Sequence, residues 1–202
     1  MSDNPTIRAL RLPPPNLGNI RVPRTRLLAR TWYRVHATRY SAAYFSVNDA
    51  HRFSHPKSPH PWLYLGSDVD TCLFERFGSL LYDHDNALNS SLWQANSVSS
   101  IQIPDLHVCD LTNPKTLTAL MVDISSLMHK DLSTPQAWGL AIQQHPAAFQ
   151  AIKFESRFNG KACLALFQRD GIEKLLVELL DQILPNSDEA ADWLRKHKLR
   201  VY

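Results

Sequence analysis

Proline decides where the elements of this chain can begin and end. Thirteen prolines are spread over 202 residues, and each fixes its own φ and removes a backbone donor, so none belongs inside a helix or a central strand. Pro5, Pro13, Pro14, Pro15 and Pro23 crowd the first 25 residues, interleaved with Arg8, Arg11, Arg21 and Arg24. That segment reads as an extended, non-helical arm laid over the domain or over a partner, or else as a loosely ordered leader. Pro104 separates two apolar runs, Pro114 and Pro135 open helices where a missing N–H costs nothing, Pro146 closes the second of these, and Pro185 ends the amphipathic run after Asp170.

Between these marks the periodicity assigns elements. Residues 26–36, RLLARTWYRVH, fit one strand with Trp32, Arg34 and His36 on one face and Tyr33 and Val35 on the other. A second strand runs from Trp62 to Leu65, and Gly66 allows a turn. Asp68 or Asp70 then caps a helix whose apolar residues Val69, Cys72, Leu73, Phe77, Leu80 and Leu81 recur at helical spacing, with Glu75 outside the stripe. Strands are expected at 98–103 and 106–111, a helix opened by Thr112 or Asn113 before Pro114 and another after Thr134–Pro135. A hairpin follows at 151–156 and 162–167, with Asn159–Gly160 as a type I′ signal. Asp170 is expected to cap an amphipathic helix through Leu175, Leu176, Leu179, Leu180 and Ile183, and Asn186 with Glu189 a last one through Arg195, Lys196 and Lys198.

Strands and helices interleave irregularly, so the expected class is α+β, a mixed and mostly antiparallel sheet with surrounding helices. The 44% hydrophobic content suffices for one core, giving an arm over 1–25 and one domain over 26–202. A net charge of +3 is too small to imply nucleic acid as a direct partner. Cys72, Cys109 and Cys163 are far apart and lie in apolar runs, as buried free thiols of a reducing compartment do. The chain shows neither a signal peptide nor an apolar run that would span a bilayer, so a cytoplasmic protein with no membrane partner is expected.

The six glycines form neither a dinucleotide fingerprint nor a Walker A loop. His51, His55 and His60 would suit zinc by residue type, but Pro56 and Pro59 keep them off a common helix face and no cysteine or carboxylate joins them, so no metal is expected. No G-x-S-x-G elbow surrounds Ser156. Arg34 offers a planar, permanently charged fork suited to phosphate or carboxylate. Glu75 has Thr71, Cys72, Gly78 and Ser79 one turn away, none of them basic.

The order Y-R-V-H at Tyr33–His36, R-F-S at Arg52–Ser54, L-Y-L-G at Leu63–Gly66, Glu75, T-P-Q-A-W at Thr134–Trp138, F-E-S-R at Phe154–Arg157 and A-L-F at Ala165–Phe167 resembles the RES domain family. This family is named for an arginine, a glutamate and a serine and includes toxins of bacterial toxin–antitoxin systems. The resemblance implies an ADP-ribosyltransferase-like fold and degradation of NAD by hydrolysis or phosphorolysis, with transfer of ADP-ribose to a protein as an alternative. A non-catalytic protein that binds an antitoxin is a further alternative. It implies Arg34, Glu75 and Ser156 as catalytic residues, and Arg34, Arg52, Tyr64 and His36 as contacts to NAD. The arginines would take the pyrophosphate or an attacking phosphate, Tyr64 would stack on a ring, and Ser156 would orient the ribose. NAD is then substrate, no metal or prosthetic group is implied, and the expected protein partner is a helix-turn-helix antitoxin. Many members carry a Gly-Gly-Arg turn where this chain has Ala50, His51 and Arg52, so the backbone there would approach a ligand less closely.

Overall fold

The computed structural model describes residues 10–48, 50–83 and 86–202. In chain order the described residues form β1 (Thr25–Leu27), β2 (Arg30–Ala37), β3 (Trp62–Gly66), α1 (Val69–Asp83), β4 (Ala87–Leu88), α2 (Ser90–Gln94), β5 (Asn96–Ile103) and β6 (Leu106–Asp110). There follow α3 (Pro114–Leu120), α4 (Ile124–Leu127), α5 (Ser133–Gln143), β7 (Ala151–Glu155), β8 (Ala162–Phe167), β9 (Val177–Ile183), α6 (Asp188–Lys196) and β10 (Arg200–Val201). Eight strands make one sheet in the order β1-β6-β7-β8-β3-β2-β5-β9, antiparallel throughout except for β6 beside β7; β4 and β10 form a small parallel pair. The class is α+β with a mostly antiparallel sheet, as expected.

The single strand expected over residues 26–36 is two. Leu27 stands opposite Leu106 and Arg30 opposite Ile103, so β1–β6 and β2–β5 continue one register across a corner. Pro104 has no N–H to give the ladder there, and the Asp105 carboxylate takes the Ala29 N–H at 2.7 Å instead. Because β1 and β2 are two residues apart yet lie near opposite ends of the strand order, the sheet curls back on itself.

The helix expected after Asp170 is also corrected. Residues 172–175 form one 3-10 turn and 177–183 are strand β9, paired antiparallel with β5. The register slips between Ser100 and Ile101, leaving Leu179 as an extra residue. That bulge puts leucines at neighbouring positions, and the sequence then imitates a helical stripe. Pairing wins because it satisfies the outer backbone groups of β5. Three smaller corrections concern ends. Ser187, not Asn186, caps α6 by accepting from Ala190 N–H. Between α1 and β5, where the periodicity assigns no element, the chain forms β4 and α2, the latter capped by Asn89. In the β7–β8 hairpin Gly160 has positive φ (+70°) and Asn159 does not, so the turn is not type I′; it is closed instead by Ser156 N–H to Lys161 O and Gly160 N–H to Ser156 O.

Other signals hold. Asn113 caps α3 through Lys115 N–H, with Pro114 in its first turn, a cap worth about 1 kcal/mol. Asp68 caps α1, accepting from Thr71 N–H at 2.8 Å. The three cysteines are free and buried. Residues 10–24 of the arm pack on the domain: Leu17 and Val22 enter the core, Trp138 donates to Arg11 O at 2.7 Å, and the Nε2 of His145 meets Ile20 O at 3.1 Å. The first nine residues of the arm lie outside the described residues.

The apolar interior has three parts. One, under the arm and α5, holds Trp62, Trp138, Phe149, Phe154 and Phe167; the second, on the opposite sheet face, holds Trp32, Phe45, Leu63 and Leu164. The third joins α1, α2 and α6 around Leu73, Phe77, Trp93 and Trp193. Strands β2 and β3 are neighbours that pair only at Tyr33 and Gly66. They diverge from that point, and the divergence opens a cleft between two otherwise continuous halves of the sheet.

Candidate active site

The cleft is a cavity of about 740 Å³ whose lining includes Arg34 and His36 from β2, Tyr64 from β3, Glu75 and Arg76 from α1, and Arg52 from the loop before β3. Its size suits a ligand larger than a single sugar. Among the described residues that line it, Arg34, Arg39, Arg52, Arg76, Lys130 and Arg157 are basic and Glu75 alone is acidic. Of these cations the local sequence singles out only Arg34, and the family resemblance adds Arg52. A cavity with this balance favours an anion, and its low-dielectric walls strengthen the attraction.

Glu75 sits in the middle of α1, off the buried stripe of Leu73, Phe77 and Leu81 that seats the helix. The hydroxyl of Ser156, just past the end of β7, donates to Glu75 Oε1 at 2.6 Å. Ser156 is 2% exposed and also accepts from Phe158 N–H at 3.2 Å, so its oxygen is fixed on both sides. Gly78, one turn along α1, leaves room for the Phe158 ring, which a Cβ there would meet at 2.7 Å. Among the described residues no cation is ion-paired with Glu75.

Arg34 spends its Nη1 on the chain itself, donating to Ala42 O at 2.5 Å and to Tyr44 O at 2.9 Å. Burial lowers its pKa to about 10, so it stays charged near neutrality. Arg52 is buried on the other wall, with Nη1 at 3.4 Å from Leu127 O. Burial lowers its pKa while the Glu75 carboxylate opposes that effect.

The loop carrying Arg52 is held by the T-P-Q-A-W-G segment of α5. Gln136 donates to His51 O at 3.2 Å, and Gly139 lies so close to Phe53 that an added Cβ would stand 2.1 Å from its carbonyl oxygen. Glycine is required there by space. From the other side Phe53 N–H donates to the Tyr64 hydroxyl at 3.1 Å, and Ser54 Oγ shares a bond with it at 2.9 Å. The Tyr64 ring has His51 4.9 Å away and Trp62 6.2 Å away; burial raises its pKa, keeping it a phenol. His51, standing where glycine is common in the resembling pattern, covers Tyr64 with its ring.

His36 is buried beside Arg34. Its Nε2 is 2.8 Å from Ser99 Oγ, which donates to Asp181 Oδ1 at 3.0 Å, and burial lowers its pKa. Cys72 and Cys163 also line the cavity, and burial raises both thiol pKa values. Among the described residues no group of three or more histidine, cysteine or acidic side chains is placed to hold a metal, and no helix is long and apolar enough to cross a membrane.

The structure therefore brings Arg34, His36, Arg52, Tyr64 and Glu75 to one cavity, with Ser156 directly behind Glu75. The RES domain family matches residues 31–185, a span that contains all six. The chain belongs to the RES domain family. The RES domain here is also similar in fold to a chain in the crystal structure of the M. tuberculosis MbcT–MbcA toxin–antitoxin complex. The TM-score is 0.59 and the identity 22%, over 87% of this chain and 92% of that one. No curated protein matches the sequence. Arg39, Arg76, Lys130 and Arg157 are the lining cations that local sequence reading passed over. Arg157 stood within the F-E-S-R motif and Arg76 directly after Glu75, so adjacency was the signal available for those two.

Proposed function

We propose that this RES domain is a toxin that destroys NAD by cleaving the bond between nicotinamide and ribose, with water or phosphate as acceptor. The observation that carries the reading is Glu75: a carboxylate held by a neutral hydroxyl, without an ion-pair partner among the described residues, in a cavity whose other charged lining residues are all cations. NAD has the matching charge pattern. Its pyrophosphate is anionic and suits Arg52 and the free part of the Arg34 guanidinium. Its nicotinamide ribose acquires positive charge as the glycosidic bond breaks, and suits Glu75.

In the proposed reaction the C1″–N bond breaks with its electron pair going to nicotinamide. The ring nitrogen loses its positive charge in that step, so no acid is needed to protonate the leaving group. The ribosyl carbon becomes oxocarbenium-like, and the Glu75 carboxylate stabilises it electrostatically. A water or phosphate oxygen then bonds to C1″, and in the water reaction its proton is released to solvent. Ser156 acts by holding Glu75 in place, and Tyr64 by fixing the loop that carries Arg52. We further propose that a helix-turn-helix antitoxin restrains the toxin in the cytoplasm; the toxin–antitoxin complex among similar folds supports a protein partner.

The test is to incubate pure protein with NAD, with and without phosphate, and to identify products by mass. ADP-ribose is the product expected from water and ADP-ribose 1″-phosphate that from phosphate. NAD left intact by an equimolar amount of folded protein would overturn the reading.

A further inference from the structure

The loop between β2 and β3 carries two aromatic rings with no part in the core. Tyr40 and Tyr44 are 40% and 45% exposed, line the cavity, and stack on each other with centroids 4.6 Å apart and planes 11° apart. The Arg39 guanidinium lies 4.9 Å from the Tyr40 ring. Among the described residues no other ring or cation stacks on Tyr44, so the open face of this stack belongs to Tyr44.

The rings are exposed, but the backbone that bears them is fixed. Arg34 Nη1 binds the carbonyls of Ala42 and Tyr44. Glu178 on β9 accepts from Ser41 Oγ and from Ala43 N–H, the latter at 3.0 Å. Ser46 exchanges both backbone bonds with Trp62, while Ala42 and Phe45 are buried in the core beneath. A rigid, wet aromatic face on a cavity wall loses little entropy when it receives a flat partner.

We propose that Tyr44 is the platform on which the adenine base of the dinucleotide stacks, with Tyr40 and Arg39 as its backing. The inference rests on the reading of NAD as ligand, because a purine at the end of a pyrophosphate is the part of NAD that the glutamate and the buried arginines leave unaccommodated. Tyr64, the other tyrosine of the cavity, is less suited: His51 and Trp62 flank its ring and its hydroxyl is engaged. Arg34 then has a positioning role beside its charge, since it holds the carbonyl of the residue that bears the platform.

Calorimetric titration of ADP and of inorganic pyrophosphate into the wild type, Tyr44→Ala and Tyr44→Trp, with NAD turnover measured on the same preparations, tests the proposal. Tyr44→Ala is expected to weaken ADP binding about tenfold, the scale of one base–aromatic stack. It should leave pyrophosphate binding unchanged, and Tyr44→Trp should restore ADP. If NAD is turned over, KM rises about tenfold in Tyr44→Ala with kcat moving far less. If NAD is not turned over and ADP still discriminates Tyr44 from alanine, the catalytic reading fails and the platform stands. Equal weakening of ADP and pyrophosphate, failure of ADP to bind the wild type, or an unchanged ADP affinity in Tyr44→Ala would each overturn it.

Discussion

Helix α1 and the turn before it present carboxylates in two different settings. At the N-terminal end, Asp68 pairs with Lys161 at 2.8 Å and Asp70 with Lys196 at 2.7 Å. Two turns on, Glu75 has a serine hydroxyl where its siblings have ammonium groups. The first pair of bonds stitches α1 to the β8 side and to α6; the last leaves a full negative charge directed at the cavity. An ion pair there would spend that charge within the protein, whereas a hydroxyl fixes the geometry and leaves most of the field for a ligand.

The most severe way to break this contrast is to remove the charge. Glu75→Gln is expected to keep the fold, read by an unchanged melting temperature, and to lower NAD cleavage by a factor on the order of 10²–10³, the scale of one lost electrostatic contact in a transition state. An unimpaired glutamine variant would sink the proposed mechanism. A sharper change makes Glu75 like its siblings: Ser79→Lys places an ammonium one turn beyond it on the cavity side. Such a pair adds only about 0.2–0.5 kcal/mol to the helix, so stability should hold while kcat falls by about the factor of two that this energy represents.

Ser156→Ala removes the hydroxyl and leaves the charge. A hydrogen bond to an ionised group is worth roughly 1.5–3 kcal/mol, and its loss is expected to appear as lower kcat, with the affinity for pyrophosphate unchanged by calorimetry. The smallest effect belongs to the stitched end. Lys161→Ala should cost less than about 1 kcal/mol, because the pair is exposed, and leave NAD cleavage within twofold. It should also change the acid limb of stability. Desolvation would raise the Asp68 pKa, but hydrogen bonds from Lys161 and Thr71 outweigh it and the pKa falls below its ordinary 3.8. That stabilisation is complete above the unfolded value and lost as pH drops through the folded one, and thermal melts below pH 4 should lose part of that slope in the variant.

Much of this was legible in the sequence for a physical reason. Capping residues act over three or four positions, so Asp68 or Asp70 and Thr112 or Asn113 marked the starts of their helices, and proline acts on its own bond, so Pro104 marked the break between two strands. Glu75 stood out because no basic residue lies one turn away, a local absence that the structure converts into a charge facing the cavity. The failures are long-range. Whether residues 177–183 coil or extend depends on β5, about eighty positions earlier, and the bulge at Leu179 disguised the answer. Nothing near Ser156 indicates that its hydroxyl faces Glu75, and nothing near Arg34 shows that Nη1 serves the backbone of residues 42 and 44. Tyr40 and Tyr44 lie in a stretch without periodicity, where local rules have nothing to measure.

Cys72 and Cys163 carry one more consequence. Both border the cavity, and burial holds both as protonated thiols. A thiol in that state reacts with alkylating reagents only when the surrounding structure opens. At a fixed pH the rate at which these two sulfurs are alkylated is therefore a clock for breathing at the split between β2 and β3, and any ligand that bridges the split should slow it.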